Sequence, residues 1–226
     1  MKLGVLFSGG KDSCFAMHKA MQEHEIACLI TVISENKESF MFHTPNIEIT
    51  SMQAESMGLP IVKITTKGEK EKELIDLESV IRKAKEEYGI EGVVTGAVRS
   101  VYQATRIQKI CKRLNLWCFN PLWLSDELDL LGSMIESGMT IILSGVFAYP
   151  LEKDKLGKKI DDSMIAELKA LKENYRINPA GEGGEIETTV LDAPFFNKEI
   201  KIEETSVDYS NYSGVFMIEK ARLVDK

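Results

Sequence analysis

Six residues near the start of the chain, Ser8 to Ser13, read SGGKDS and follow the apolar run LGVLF. Two glycines let the backbone approach a ligand and adopt conformations closed to other residues, so successive N–H groups can point at an anion. Ser8 and Ser13 offer hydroxyl donors, Lys11 offers a mobile positive charge, and a helix beginning near Asp12 adds its positive end. Asp12 would repel a bare phosphate. A carboxylate in such a turn implies a metal ion shared with phosphate oxygens, so Ser8, Gly9, Gly10, Lys11, Asp12 and Ser13 are read as a nucleotide-phosphate site with Mg²⁺ on Asp12. The spacing is neither the GxxxxGK[ST] of a Walker A loop nor the GxGxxG of dinucleotide folds.

Two further stretches carry chemistry. Arg99, Tyr102, Gln103 and Arg106 are spaced to share one helix face, opposite Ile107, Ile110, Cys111 and Leu114. They follow a strand's carboxyl end, where Gly96 allows close approach, and are read as holding polyphosphate or a carboxylate; a solvated face is the plain alternative. Later, AGEGGE sets Gly181, Gly183 and Gly184 around Glu182 and Glu185. Two carboxylates on so pliable a backbone suit Mg²⁺, ammonium or a cationic substrate, and the residues do not choose among these. Asn178 and Thr188 are expected to orient this loop through hydrogen bonds to its backbone. His43, in FMFHTPN, is weighed between a structural role and nucleotide contact, with Asn46 beyond it as a helix cap. His18 and His24 are read as structural or solvated, and the methionines as packing.

These groups need elements to place them. LGVLF, IACLITVI, LPIVKIT and GVVTGAV read as buried strands, with Ser34 at the carboxyl end of the second. Helical patterns fill the intervals: one follows the glycine turn, one spans residues 70–88 on Leu74, Leu77, Ile81, Ala84 and Tyr88, and one covers about 100–114. Near-continuous apolar strands alternating with helices predict an α/β fold, a parallel sheet with helices on both faces. Ligands of such sheets sit beyond the strands' carboxyl ends. After NPLWLSDELDLL the pattern changes to a strand in MTIILSGVFA, a helix over 161–175, and three short strands without intervening helices. A smaller C-terminal α+β domain is therefore expected at 125–226, with the boundary near Leu124 after a nucleotide domain of 1–124.

Composition narrows the class. The 226 residues carry a formal net charge of −7, which gives no support to nucleic-acid binding. No apolar run approaches the roughly 18 residues of a membrane span, and no basic segment leads into a cleavable apolar stretch; cytoplasmic residence is the expectation. Cys14, Cys28, Cys111 and Cys118 show no CxxC or zinc spacing and read as buried small hydrophobes. Oligomeric state is open, a homodimer included.

SGGKDS resembles the SGGxDS signature of the PP-loop ATP pyrophosphatases, the group of GMP synthetase, asparagine synthetase and the tRNA-thiolating enzymes. TGAVRSVYQATRIQKICKRLNLWCFNPLW and NPAGEGGEIETTVLDAPFF are similar to segments of the diphthine-ammonia ligase family, which makes the final amide of diphthamide on translation elongation factor 2. With FMFHT included, the resemblance runs over most of the chain, and the EGGE segment is its most specific part; Ile186 departs from the aromatic residue common after that motif.

The resemblance implies a Rossmann-like, HUP-type sheet and ATP as co-substrate with Mg²⁺. Ser8 to Ser13, Ser34, His43, Gly96 and Arg99 would lie at the nucleotide, and Lys11, Asp12, Glu182 and Glu185 at the chemistry. Tyr102, Gln103, Arg106, Asn178, Gly183, Gly184 and Thr188 would lie at the substrate. The diphthine carboxylate would attack the α-phosphorus to give an acyl-adenylate, and ammonia would then release AMP. Residue 2 is Lys, so an N-terminal cysteine glutaminase is not expected and free ammonium is the simplest donor. Diphthine carries a quaternary ammonium group, for which Trp123, Phe147 and Tyr149 are candidate partners. The competing readings are a tRNA-thiolating enzyme, disfavoured by the missing CxxC and the negative charge, and a non-catalytic adenine-nucleotide sensor.

Overall fold

The structure, a computed structural model, describes residues 1–36, 45–69 and 71–226. Its first half is a parallel sheet of strands β1 (Lys2–Leu6), β2 (Glu25–Ser34), β3 (Ile61–Thr66), β4 (Gly92–Val94) and β5 (Trp117–Phe119), in the order β3-β2-β1-β4-β5. Between the strands run α1 (Lys11–Ala20), α2 (Ile49–Met57), α3 (Glu73–Tyr88) and α4 (Val101–Arg113). Side chains alternate between two cores, as a doubly covered sheet requires. Leu29 of β2 faces one side with Phe15 and Met17 of α1 and Ala54 of α2, while Cys28, Ile30 and Val32 face the other with Leu77 and Ile81 of α3 and Ile107 and Ile110 of α4. The α/β, Rossmann-like expectation therefore holds. β1 and β4 are neighbours whose following helices pack on opposite faces, so a crevice opens beyond their carboxyl ends.

The second sheet has the order β7-β6-β9-β8, built antiparallel from β6 (Thr140–Val146), β7 (Ile186–Asp192), β8 (Lys198–Ser210) and β9 (Ser213–Asp225), with α5 (Glu127–Glu136) and α6 (Asp162–Tyr175) beside it. The last two strands are not short: β8 and β9 form a hairpin of 13 residues each, closed by Asn211 and Tyr212 at φ 49° and 60°. Two consecutive left-handed residues make the turn whose twist matches the strands. β5 and α5 are elements the sequence pattern does not announce. β5 has only three residues, and Gly132 and Ser133 interrupt α5's apolar face of Leu130, Leu131 and Met134. Asp126 starts α5 by accepting the N–H groups of Leu128 and Asp129 at 2.9 and 3.2 Å.

One continuous core joins the two sheets: Leu3, Val5 and Phe15 pack with Leu131, Ile141, Leu143 and Val190. Polar ties reinforce it. Asn46 does not cap α2; it sits at φ 60°, its Nδ2 donates to the Phe216 carbonyl at 2.9 Å and its Oδ1 accepts the Ile218 N–H at 2.8 Å, so it fastens β9 to the first half. All four cysteines are free, although Cys111 and Cys118 lie side by side, a proximity their spacing conceals.

Gly96, after β4, lies against the start of α1. A Cβ there would stand 2.8 Å from the backbone carbon of Asp12 and the backbone nitrogen of Ser13, neither of which can move alone. Gly96→Ala is expected to lower stability by about 1–3 kcal/mol, read as a reduced urea midpoint with unchanged slope. An unchanged midpoint would show that this approach is not tight.

Candidate active site

The Ser8 to Ser13 turn is built largely from its own backbone and hydroxyls. Gly9 takes φ 77°, a conformation that suits glycine. The Ser13 hydroxyl donates to the Gly10 carbonyl at 3.0 Å, accepts the Ser8 N–H at 3.3 Å, and lies 3.2 Å from the Ser8 hydroxyl. Gly10, just before α1, supplies no side-chain cap of its own, and apart from the Lys11 N–H, which Thr188 takes, the helix start keeps its capacity to bind an anion.

β7 closes the turn from the other half of the chain. The Val190 N–H donates to the Gly9 carbonyl at 3.0 Å, and Thr188 Oγ1 accepts the Lys11 N–H at 3.1 Å. The Gln53 amide of α2 bridges the Gly9 and Val190 carbonyls at 3.0 and 2.7 Å. Lys11 is only 3% exposed, and its ammonium donates to Asp12 Oδ2 at 2.7 Å and to the Ala180 carbonyl at 2.5 Å. A buried ammonium requires such partners, so the phosphate turn and the glycine loop before β7 are held at one point.

The AGEGGE loop is shaped by its own acid. Glu185 accepts the N–H groups of Asn178 and Gly183 at 3.1 and 2.9 Å, and its carbonyl accepts the Phe147 N–H at 2.8 Å. Asn178 Oδ1 accepts the Ala180 N–H at 2.9 Å. Gly181 and Gly184 take φ 76° and 83°. Glu185 is thereby committed to loop structure. Glu182 reaches the other way: its Oε2 accepts the Arg99 N–H at 2.9 Å, and burial, reinforced by Asp12, raises its carboxyl above the usual range. Arg99 pairs with Glu127 at 3.3 Å, and Glu127 with Lys172 at 2.7 Å. The Lys172 hydrogen bond holds the Glu127 carboxyl below its ordinary range despite burial.

The structure thus gathers Ser8 to Ser13, Gly96, Arg99, Asn178, Glu182, Gly183, Gly184, Glu185 and Thr188 around one crevice. It does not gather the remainder. α4 starts at Val101 with Ser100 as its cap, so Arg99 lies outside the helix and points to Glu182 and Glu127, away from the expected stripe. Arg106 stacks over the Tyr102 ring, 3.5 Å from its centroid, and both bind Glu71; the Gln103 backbone N–H is taken by the Ser100 hydroxyl, and among the described residues its side chain makes no hydrogen bond. The Ser34 hydroxyl is occupied by the backbone of Asn36. His43 lies outside the described residues. Trp123 stands beside Val101 and Ala104 of α4, apart from Tyr149, while the Phe147 ring covers Gly145.

Sequence reasoning misses Glu187, a carboxyl strongly perturbed by its place. It is partly exposed, yet its surroundings push its carboxyl up to about 7: burial raises it most, the Lys11 charge opposes that, and the Asp12 charge adds a smaller rise. It makes no hydrogen bond or ion pair among the described residues. An acid within the otherwise apolar and threonine-rich IETTVL strand was the available signal. Among the described residues no three acidic, histidine or cysteine side chains converge as a metal cage. Asp12 Oδ1, however, is buried with no hydrogen-bond partner among the described residues, an acceptor still to be satisfied.

A family model described as the diphthamide synthase N-terminal domain matches residues 1–117, and one described as its C-terminal domain matches 126–224. The chain belongs to the diphthamide synthase family. A protein from Rattus norvegicus named diphthine–ammonia ligase is 34% identical over 99% of this chain and 95% of its own length. One of the same name from Danio rerio is 37% identical, over 91% and 88% respectively. A solved structure described as a predicted subunit of tRNA methyltransferase from Methanocaldococcus jannaschii covers 86% of this chain and 98% of its own at TM-score 0.45 and 20% identity, too distant to bear on fold or activity.

The raised carboxyl of Glu187 has a testable sign. Its folded value of about 7 exceeds the ordinary 4.5, so the folded state binds the proton more tightly and stability declines as pH rises through that interval. Glu187→Gln is expected to raise stability by roughly 2 kcal/mol at about pH 8 and to leave it unchanged near pH 4. Equal thermal midpoints of variant and wild type at both pH values would contradict this.

Proposed function

We propose that this protein converts the carboxylate of diphthine on translation elongation factor 2 to the amide, with ATP and ammonium, releasing AMP and pyrophosphate. The observation that carries the reading is the junction at Lys11, which ties a phosphate-binding turn to an acidic glycine loop in a chain aligned with named ligases over nearly its whole length. Residues 1–124 serve as nucleotide domain and 125–226 as substrate domain, a division supported by the two family-model segments on either side of it. Among the described residues no helix is long and apolar enough to cross a membrane, and cytoplasmic action on a translation factor suits this.

A carboxylate resists nucleophiles at neutral pH, so its oxygen must first become part of a leaving group. The turn at Gly9 and Gly10, the uncapped start of α1 and Lys11 bind and neutralise the polyphosphate of ATP, here a substrate. Attack of the diphthine carboxylate on the α-phosphorus expels pyrophosphate and leaves an acyl-adenylate. Asp12 Oδ1 is the unsatisfied oxygen that would hold Mg²⁺, which when bound draws charge from the phosphates. Glu182 and Glu187, both within the fields of Lys11 and Asp12, supply negative charge for ammonium and accept its proton; ammonia then displaces AMP from the acyl carbon. No covalent bond to the protein is needed, and positioning carries much of the rate.

The test is incubation of purified protein with labelled ATP, Mg²⁺, ammonium and diphthine-bearing elongation factor 2, following AMP and the factor's mass. One AMP per amide is expected, with both falling at least about 100-fold in Asp12→Ala. ATP binding without either product would favour the nucleotide-sensor reading. AMP release dependent on tRNA instead of the factor would favour thiolation.

A further inference from the structure

At the edge of the acidic loop, three chain segments bring tyrosines together in water. Tyr149, just beyond β6, is 59% exposed; Tyr175, the last residue of α6, is 49% exposed; and Tyr212, in the β8–β9 turn, is 37% exposed. Tyr149 meets Tyr175 edge to face at 5.6 Å and 82°, and Tyr212 at 4.8 Å and 83°. Register fixes where they lie. Val146, at the end of β6, pairs with Ile186 on one side and with Gly214 on the other, so Tyr149, Tyr212 and Glu185 leave adjacent strand ends. Asn178, three residues after Tyr175, donates its N–H to the Glu185 carboxylate. The rings therefore border the loop that Lys11 ties to the phosphate turn.

Near-perpendicular rings offer a face and an edge to the same space, and the neighbouring acids add a negative field. A small hydrated cation gains little there, because it must give up water for a weak quadrupole. A quaternary ammonium is poorly hydrated, carries its charge on methyl groups, and gains both apolar contact and cation–π attraction.

Resting on the function proposed above, we infer that Tyr149, Tyr175 and Tyr212 form the binding site for the trimethylammonium group of diphthine, holding the modified side chain so that its carboxylate faces the Lys11 site. They are positioning residues, remote from the reacting atoms. Of the three partners suggested by sequence, Tyr149 belongs to the cluster, whereas Trp123 lies beside α4 and the Phe147 ring covers Gly145.

The test compares wild type, Tyr149→Leu and Tyr149→Phe on elongation factor 2 bearing trimethylated diphthine and on the same factor bearing the unmethylated amine. Wild type should favour the trimethylated form about tenfold in KM, with kcat little changed; Tyr149→Phe should keep that preference and Tyr149→Leu should lose it. A Tyr149→Leu enzyme that retains the methyl preference overturns the site. An equal KM rise on both substrates also overturns it, and makes the rings a general docking face for the protein substrate. If wild type forms no amide at all, the ligase reading fails separately, and tetramethylammonium chloride titrated against the tyrosine ring resonances still decides the site. Saturating shifts at all three rings, reduced in Tyr149→Leu and absent with ammonium chloride, support it, and unmoved resonances overturn it.

Discussion

Everything at the crevice depends on a buried lysine. Lys11 is 3% exposed, and an ammonium so enclosed is tolerable only where acceptors replace its water. One acceptor, Asp12, is its chain neighbour; the other, the Ala180 carbonyl, is 169 residues away in sequence. The Lys11 N–H adds a third tie, to Thr188. Folding the glycine loop onto the phosphate turn is thus the condition under which the lysine can be buried, and the same condition sets Glu182 and Glu187 in the electrostatic field of Lys11 and Asp12. The continuous core beneath, from Leu3 and Phe15 to Ile141 and Val190, makes the two sheets one packed body around that point.

The acids of the site divide by what the backbone does with them. Glu185 is taken up by two N–H groups and shapes the loop; Glu127 is taken up by Arg99 and Lys172 and braces it. Glu182 and Glu187 are left with weaker compensation, and their raised carboxyls record the difference. Groups held away from their ordinary ionisation suit proton transfer near neutral pH. Types and spacing in AGEGGE do not show this sorting, because it follows from which N–H groups the folded loop turns inward.

Legibility in the sequence follows the range of the interactions. SGGKDS is readable because a strand, a tight turn and a helix start are local events with strong residue preferences. The parallel sheet is readable from buried apolar runs. Arg99 falls outside the expected stripe because periodicity extends a helix back through its cap, whereas α4 begins only after Ser100, one residue beyond Arg99. β5 is too short and α5 too interrupted to register. The length of β8 and β9 was hidden because their exposed faces mix charged and apolar residues. Gln53 gains meaning only from its hydrogen-bond partners and Glu187 only from the burial and charges that other elements impose, and one sequence does not encode those as a pattern.

Transfer of an oxygen from the substrate carboxylate to the α-phosphorus is the step for which the whole arrangement is suited. The most direct measurement supplies diphthine-bearing factor with heavy oxygen in that carboxylate and reads the mass of the nucleotide released. One heavy oxygen in AMP for each amide formed is the predicted result. Unlabelled AMP, with the heavy oxygen in pyrophosphate, inorganic phosphate or water, would contradict attack at the α-phosphorus.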